Sequence, residues 1–215
     1  MFQTDILFGI PIYKVRVDPN LYDKKNIIST IEKNYSIGPR DNFDKNTKMH
    51  MLLFDEKNSL YEKINYEKLQ NVYNNIFKNF VNNLKLNHKG NLKCDYQIVN
   101  YTASNKEGNM QSHHHLPDDN FASVHYLQLD KKQNTTSFDN THVYGNYLKY
   151  IFKDIYNVVD NKDSINSYLF ENFKIDAQED DMIIFPSVAK HYVEKQNFVS
   201  NKLRITIASN IKLSL

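Results

Sequence analysis

The chain has 215 residues, of which 40% are hydrophobic and 13% aromatic, the aromatic share being all Tyr and Phe. That mixture can bury a sizeable core in one domain and argues for a folded globule and against a disordered chain. A net charge of +2, a lone cysteine (Cys94) and no long apolar run give no sign of a nucleic-acid partner, a disulfide framework or a membrane span. The Met1–Asp5 start has no basic region, so no signal peptide is expected and the cytoplasm is the expected location.

Residues 6–17 are apolar and β-branched and predict a strand, with Pro11 marking an edge or bend. Asp18-Pro19-Asn20 reads as a turn and helix start, followed by Leu21, Ile27, Ile28 and Ile31 at helical spacing. Residues 36–48 read as loop and Met49–Phe54 as a short strand. From Leu60 to Leu86 the apolar positions, among them Leu69, Val72, Tyr73, Phe77 and Phe80, follow a 3-4 repeat. One or two helices packed on a sheet are expected there, closed by Gly90. Beyond residue 91 the pattern becomes short strands: 92–101, 110–115, 121–129, 135–138, 173–175, 182–185, 190–193 and 203–213. This spacing suggests an antiparallel sandwich or jelly roll. Residues 140–172 interrupt it with a Tyr-rich stretch, in which a helix over Tyr147–Val159 and a substrate-closing loop over 141–146 are expected.

The chemistry gathers at Ser112-His113-His114-His115-Leu116-Pro117. In an extended segment residues i and i+2 share a face, so His113 and His115 project together while His114 points away. A third imidazole, His191, follows the apolar run Met182–Phe185, and Arg204 lies thirteen residues further on in the alternating strand 203–209. Two imidazoles and a carboxylate with open positions mark non-haem iron sites. Here His115 stands where the acid would be, so either three neutral ligands hold the metal or Asp118 or Asp119 adds a carboxylate. Arg204 shares its strand face with Thr206; if that face is interior, the guanidinium requires an anion. Tyr101 and Tyr126 are candidate pocket tyrosines. His125, on the opposite face from Tyr126, is expected to pack or be exposed. His50, His88 and His142 have no supporting pattern, and Cys94 has no partners that would make it a nucleophile.

With these motifs the sequence resembles the small 2-oxoglutarate- and Fe(II)-dependent oxygenases of bacteria and bacteriophages, relatives of the prolyl 4-hydroxylases. The resemblance covers nearly the whole chain. It rests on the Leu7–Tyr13 opening strand, on His113-x-His115-x-Pro117, and on Ala122–Tyr126 in place of Ser-Gly-Val-Tyr-Tyr. Asp180–Ser187 matches Gly-Asp-x-x-x-Phe-Pro-Ser, with Asp180 where the family has Gly, and Arg204–Asn210 matches Arg-Ile-Ser-Ile-x-x-Asn. The resemblance implies a mainly β chain with flanking helices, an α+β double-stranded β-helix of the cupin-like jelly-roll kind. One domain over 1–215 is expected, with helical support at 18–90 and the β-helix core at 91–215.

The resemblance further implies Fe(II) held by His113, His115 and His191. 2-Oxoglutarate would be held by Arg204 with Thr206, Tyr101 and Tyr126, and O2 would be the oxidant. The expected activity is hydroxylation of a peptide side chain or small metabolite, with decarboxylation of 2-oxoglutarate to succinate. Neither nucleic acid nor membrane is an expected partner, and a homodimer is compatible with the sequence. Two rivals are a jelly-roll binding protein without turnover and a cupin-like three-histidine dioxygenase that does not use 2-oxoglutarate. Only the oxygenase needs Arg204 inside the barrel.

Overall fold

The computed structural model describes residues 2–7, 9–37, 49–53 (backbone alone), 61–84, 92–105, 107–115, 119–141, 150, 158–160, 162–197 and 200–214. The predicted strand over 6–17 is instead two strands, β1 (Gln3–Leu7) and β2 (Ile10–Arg16), paired antiparallel. The reversal is made at Gly9, whose φ of 81° is open to a residue without Cβ. Two helices follow, α1 (Lys24–Ile37) and, after β3 (Met49–Leu53), α2 (Glu67–Asn83). Only one helix occupies the 60–86 region; residues 61–66 lead into it without helical structure. The remaining strands are β4 (Lys93–Ser104), β5 (Met110–His113), β6 (Phe121–Gln128), β7 (Thr136–Asp139), β8 (Asn172–Lys174), β9 (Asp181–Pro186), β10 (His191–Val193) and β11 (Arg204–Ser214).

The strands form two sheets. The larger has the order β1-β2-β9-β6-β11-β4-β3 and the smaller β5-β10-β7-β8, with antiparallel pairing throughout. Three strands upstream of residue 91, β1, β2 and the expected short strand β3, extend the larger sheet. Together the sheets make the jelly roll. Among the described residues no helix is long and apolar enough to cross a membrane. The Gly90 cap, the Tyr147–Val159 helix (apart from Tyr150, Val158 and Val159), the 141–146 loop (apart from Thr141), His88 and His142 lie outside the described residues.

Period-2 alternation places two apolar sets on opposite faces of the larger sheet. Leu127, Met182, Ile184, Ile205 and Ile207 face the helices and pack with Ile27, Ile31, Leu69, Tyr73, Phe77 and Phe80. The alternate set, Ala122, Tyr126, Ile183 and Phe185, packs with Phe138 of β7 and Phe173 of β8 between the sheets. On α2, Leu69, Val72, Tyr73, Phe77 and Phe80 are the buried stripe at 3-4 spacing. Each such side chain contributes about 1.5–3 kcal/mol when fully buried. Asn34 of α1 clamps the entry to α2, donating from Nδ2 to Glu62 O (3.0 Å) and accepting from Glu62 N at Oδ1 (2.8 Å).

Strand β4 changes face part-way. Its pairing with β11 skips Val99: Ala208 opposes Asn100 while Ser209 opposes Ile98. This bulge switches parity, so Tyr96 and Ile98 before it and Tyr101 and Ala103 after it all join the helix-side core. Tyr101 is thus turned away from the space between the sheets.

Candidate metal centre

The site is built on the smaller sheet. His113 is the last residue of β5 and sits directly opposite His191, the first residue of β10. His115 lies two residues beyond β5, fixed by its amide donating to Ser187 O at 3.0 Å. The turn Pro186–Ala189, closed by Ala189 N donating to Pro186 O (2.9 Å), carries the chain from β9 to His191. These short constraints bring the three ring nitrogens within 4.8 Å of one another, a constellation able to hold a metal ion. The rings of His113 and His191 are 4.3 Å apart, and those of His115 and His191 are nearly parallel at 5.2 Å. His114 is exposed, as its alternation predicts.

The donor set fits a divalent transition metal. His113 Nδ1 donates to Gln111 O (2.8 Å) and His191 Nδ1 to Ala189 O (3.0 Å), which assigns the proton to Nδ1 and leaves the Nε2 lone pair for an ion. Burial, with the charge of His113 adding to it, lowers the pKa of His191 to about 3. Burial and His113 also lower that of His115, against the opposing charge of Asp119. Both rings are therefore neutral near pH 7, the state in which imidazole ligates. Phe185 and Phe138 wall the His191 ring at 4.7 and 6.0 Å and shield that side from water.

The same inter-sheet space holds Arg204. It is 1% exposed, donates from Nε to Asn134 O (2.8 Å) and lies 5.6 Å from the centre of the Tyr126 ring. No carboxylate pairs with it among the described residues. Thr206 is buried and opposite Tyr126 in the β11–β6 register. The Tyr126 hydroxyl is engaged, donating to Thr136 Oγ1 (2.7 Å) and accepting from Thr136 N (3.0 Å).

A model of the family described as "Putative 2OG-Fe(II) oxygenase" matches residues 100–210, just over half the chain, spanning all of these residues. The chain belongs to this family. It is an oxygenase whose class uses Fe(II) and 2-oxoglutarate. Among solved structures, the oxygenase is similar to a Trichoplax adhaerens prolyl hydroxylase in complex with a hypoxia inducible factor oxygen degradation domain peptide fragment. That match has a TM-score of 0.52, 11% identity, and 94% of this chain and 83% of the other covered. It is also similar to a Pseudomonas putida prolyl-4-hydroxylase, with a TM-score of 0.50, 7% identity and 94% and 92% covered. At these identities the likeness establishes the jelly-roll fold. No curated protein matches the sequence.

Of the sequence-derived candidates, the oxygenase brings together His113, His115 and His191, and separately Arg204, Thr206 and Tyr126. Tyr101 is the correction: the Val99 bulge sends its side chain into the helix-side core, beside Asn34 and Tyr66, where it cannot reach a cosubstrate between the sheets. His125 is fully buried on that same side, its Nδ1 2.8 Å from the Tyr73 hydroxyl. That pair, whose members are 52 positions apart, was not legible beforehand; Asp119 was a candidate carboxylate, but its bond from Asn210 Nδ2 at 2.6 Å was not foreseen.

Proposed function

We propose that this oxygenase hydroxylates a C–H bond of a peptide side chain or small metabolite, with His113, His115 and His191 as the Fe(II) ligands and Arg204 as the anchor for 2-oxoglutarate. The carrying observation is a buried guanidinium that has no anionic partner among the described residues, in the inter-sheet space that also holds the three-imidazole cluster. Leaving such a charge unpaired costs several kcal/mol, so the arrangement makes sense when a ligand brings the anion. A planar carboxylate matches its fork. A rival without 2-oxoglutarate has no use for it.

With Fe(II) bound, the centre supplies the coupled oxidation in which O2, 2-oxoglutarate and R–H become R–OH, succinate and CO2. The chain's own part is positional. Carbonyls of Gln111 and Ala189 hold the His113 and His191 rings in one tautomer. Arg204 receives the far carboxylate, with the Thr206 hydroxyl beside it. Tyr126, its own hydroxyl taken by Thr136, serves as a ring platform that holds the guanidinium in place. Phe138 and Phe185 keep water from His191. A peptide side chain gains support from the fold shared with a prolyl hydroxylase solved with a peptide fragment. We assign the whole of 1–215 to one cytoplasmic domain.

Anaerobic addition of Fe(II) and 2-oxoglutarate tests the reading. The wild-type chain should develop the visible charge-transfer band of the chelate, and His191→Ala should not. Absence of the band, together with no decarboxylation of 2-oxoglutarate in air, rejects it.

A further inference from the structure

The three imidazoles are not equally supported. His113 and His191 each have a backbone carbonyl on Nδ1. Among the described residues, neither ring nitrogen of His115 has a hydrogen-bond partner. Metal-bound imidazoles almost always give their second N–H to a carboxylate, carbonyl or water, which fixes the ring and raises its basicity.

Among the described residues, the fold brings the segment of one carboxylate, Asp119, beside His115. His115 N donates to Ser187 O, and Ser187 N donates to Asn120 O, so the 115 and 119–120 segments flank the same residue. Asn120 N in turn donates to Ile211 O (2.9 Å), tying the segment to β11. Asp119 is half-buried and held by Asn210 Nδ2 at one oxygen, Oδ2; its other oxygen has no partner among the described residues. Among the described residues no carboxylate joins the three-histidine cluster itself, so with these ligands alone a divalent ion there would keep its full charge.

We propose that Asp119 is the outer carboxylate of this centre, a positioning residue that accepts the second ring N–H of His115 and offsets the charge left by three neutral ligands. The proposal rests on the metal-centre reading above. Asn210 then keeps the carboxylate aimed, which gives the last residue of the Arg204–Asn210 segment a task in the site.

Co(II) is the probe, titrated anaerobically into the full chain and followed by its visible d–d absorption. Wild type should bind one equivalent. Asp119→Asn should weaken binding about 10- to 100-fold, the usual effect of losing an outer partner, and shift the band. Asp119→Glu should restore part of the affinity, and Asn210→Ala, which frees the carboxylate but keeps it, should fall between. Wild-type affinity and spectrum in Asp119→Asn, or in Asn210→Ala should the first variant not fold, overturn the proposal. So does a loss that tracks loss of folded structure and is not recovered by glutamate. A wild-type chain that binds no Co(II) instead removes the metal-centre reading on which the proposal stands.

Discussion

Replacing Arg204 with Met separates the cost of holding a cation from its use. Methionine is unbranched and fills irregular core space, so the stem is roughly conserved while charge and donors vanish. In the ligand-free protein two losses follow. The Asn134 carbonyl loses its Nε donor, at about 1–3 kcal/mol, and the Tyr126 ring loses a cation, at about 0.5–2 kcal/mol. Against them stands relief of a fully buried, carboxylate-free charge, worth several kcal/mol. The terms nearly cancel, so urea unfolding should show ligand-free stability within about 1–2 kcal/mol of wild type. Binding of 2-oxoglutarate has no such compensation. Loss of one partner of a buried pair costs about 2–5 kcal/mol, or roughly 30- to 5,000-fold in Kd. The charge-transfer titration and the thermal shift with 2-oxoglutarate should both register that loss, while Co(II) affinity stays unchanged. Wild-type 2-oxoglutarate affinity refutes the reasoning. So does ligand-free unfolding by more than about 3 kcal/mol, which would mean that Arg204 already has a partner within the protein.

The remaining expectations concern other parts of the molecule. Alanine at His113, His115 or His191 should abolish Co(II) retention at equimolar metal while far-UV circular dichroism stays unchanged. Tyr73→Phe should cost about 1–3 kcal/mol in urea unfolding, because it leaves His125 Nδ1 buried and unpaired. Burial lowers the His125 pKa from 6.5 to about 3, so acid favours the unfolded state, which takes up the proton first. The His125 contribution to stability should be fully present above pH 6.5 and fall by about 1.4 kcal/mol per unit below it until pH nears 3, and His125→Gln should subtract that part of the acid slope while the His191 part remains in the metal-free protein. Asp180→Ala should be less stable than Asp180→Gly by about 1–2 kcal/mol. Both lose the Lys24 ion pair (2.6 Å), but only alanine must hold the φ of 69° that the family assigns to glycine.

Strands β6, β9 and β11 were legible because their apolar sets alternate, or run unbroken where both faces are covered, and the structure starts or ends them within a residue or two of the expected limits. His113 and His115 were legible for the same geometric reason: a period of two survives the end of β5. The β1–β2 reversal was not, since Ile6–Tyr13 runs apolar across it and only the conformation of Gly9 shows the break. Tyr101 failed for a sharper reason. Which way it points depends on whether Val99 is paired, and a bulge leaves no mark in local composition. The Tyr73–His125 and Asp119–Asn210 contacts join residues 52 and 91 positions apart, and such pairs become visible only when the sheet order is known.

The histidines stand on the slighter of the two sheets. His113 ends a four-residue edge strand whose ladder partner, β10, has three residues. Such an edge opens more readily than the eleven- and twelve-residue β11–β4 ladder that carries Arg204. An ion shared by His113 and His191 would therefore act as a rivet across a short edge seam of the barrel. Hydrogen exchange at Gln111–His113 should be fast in the stripped protein and slow sharply on loading, while β11 remains equally protected in both.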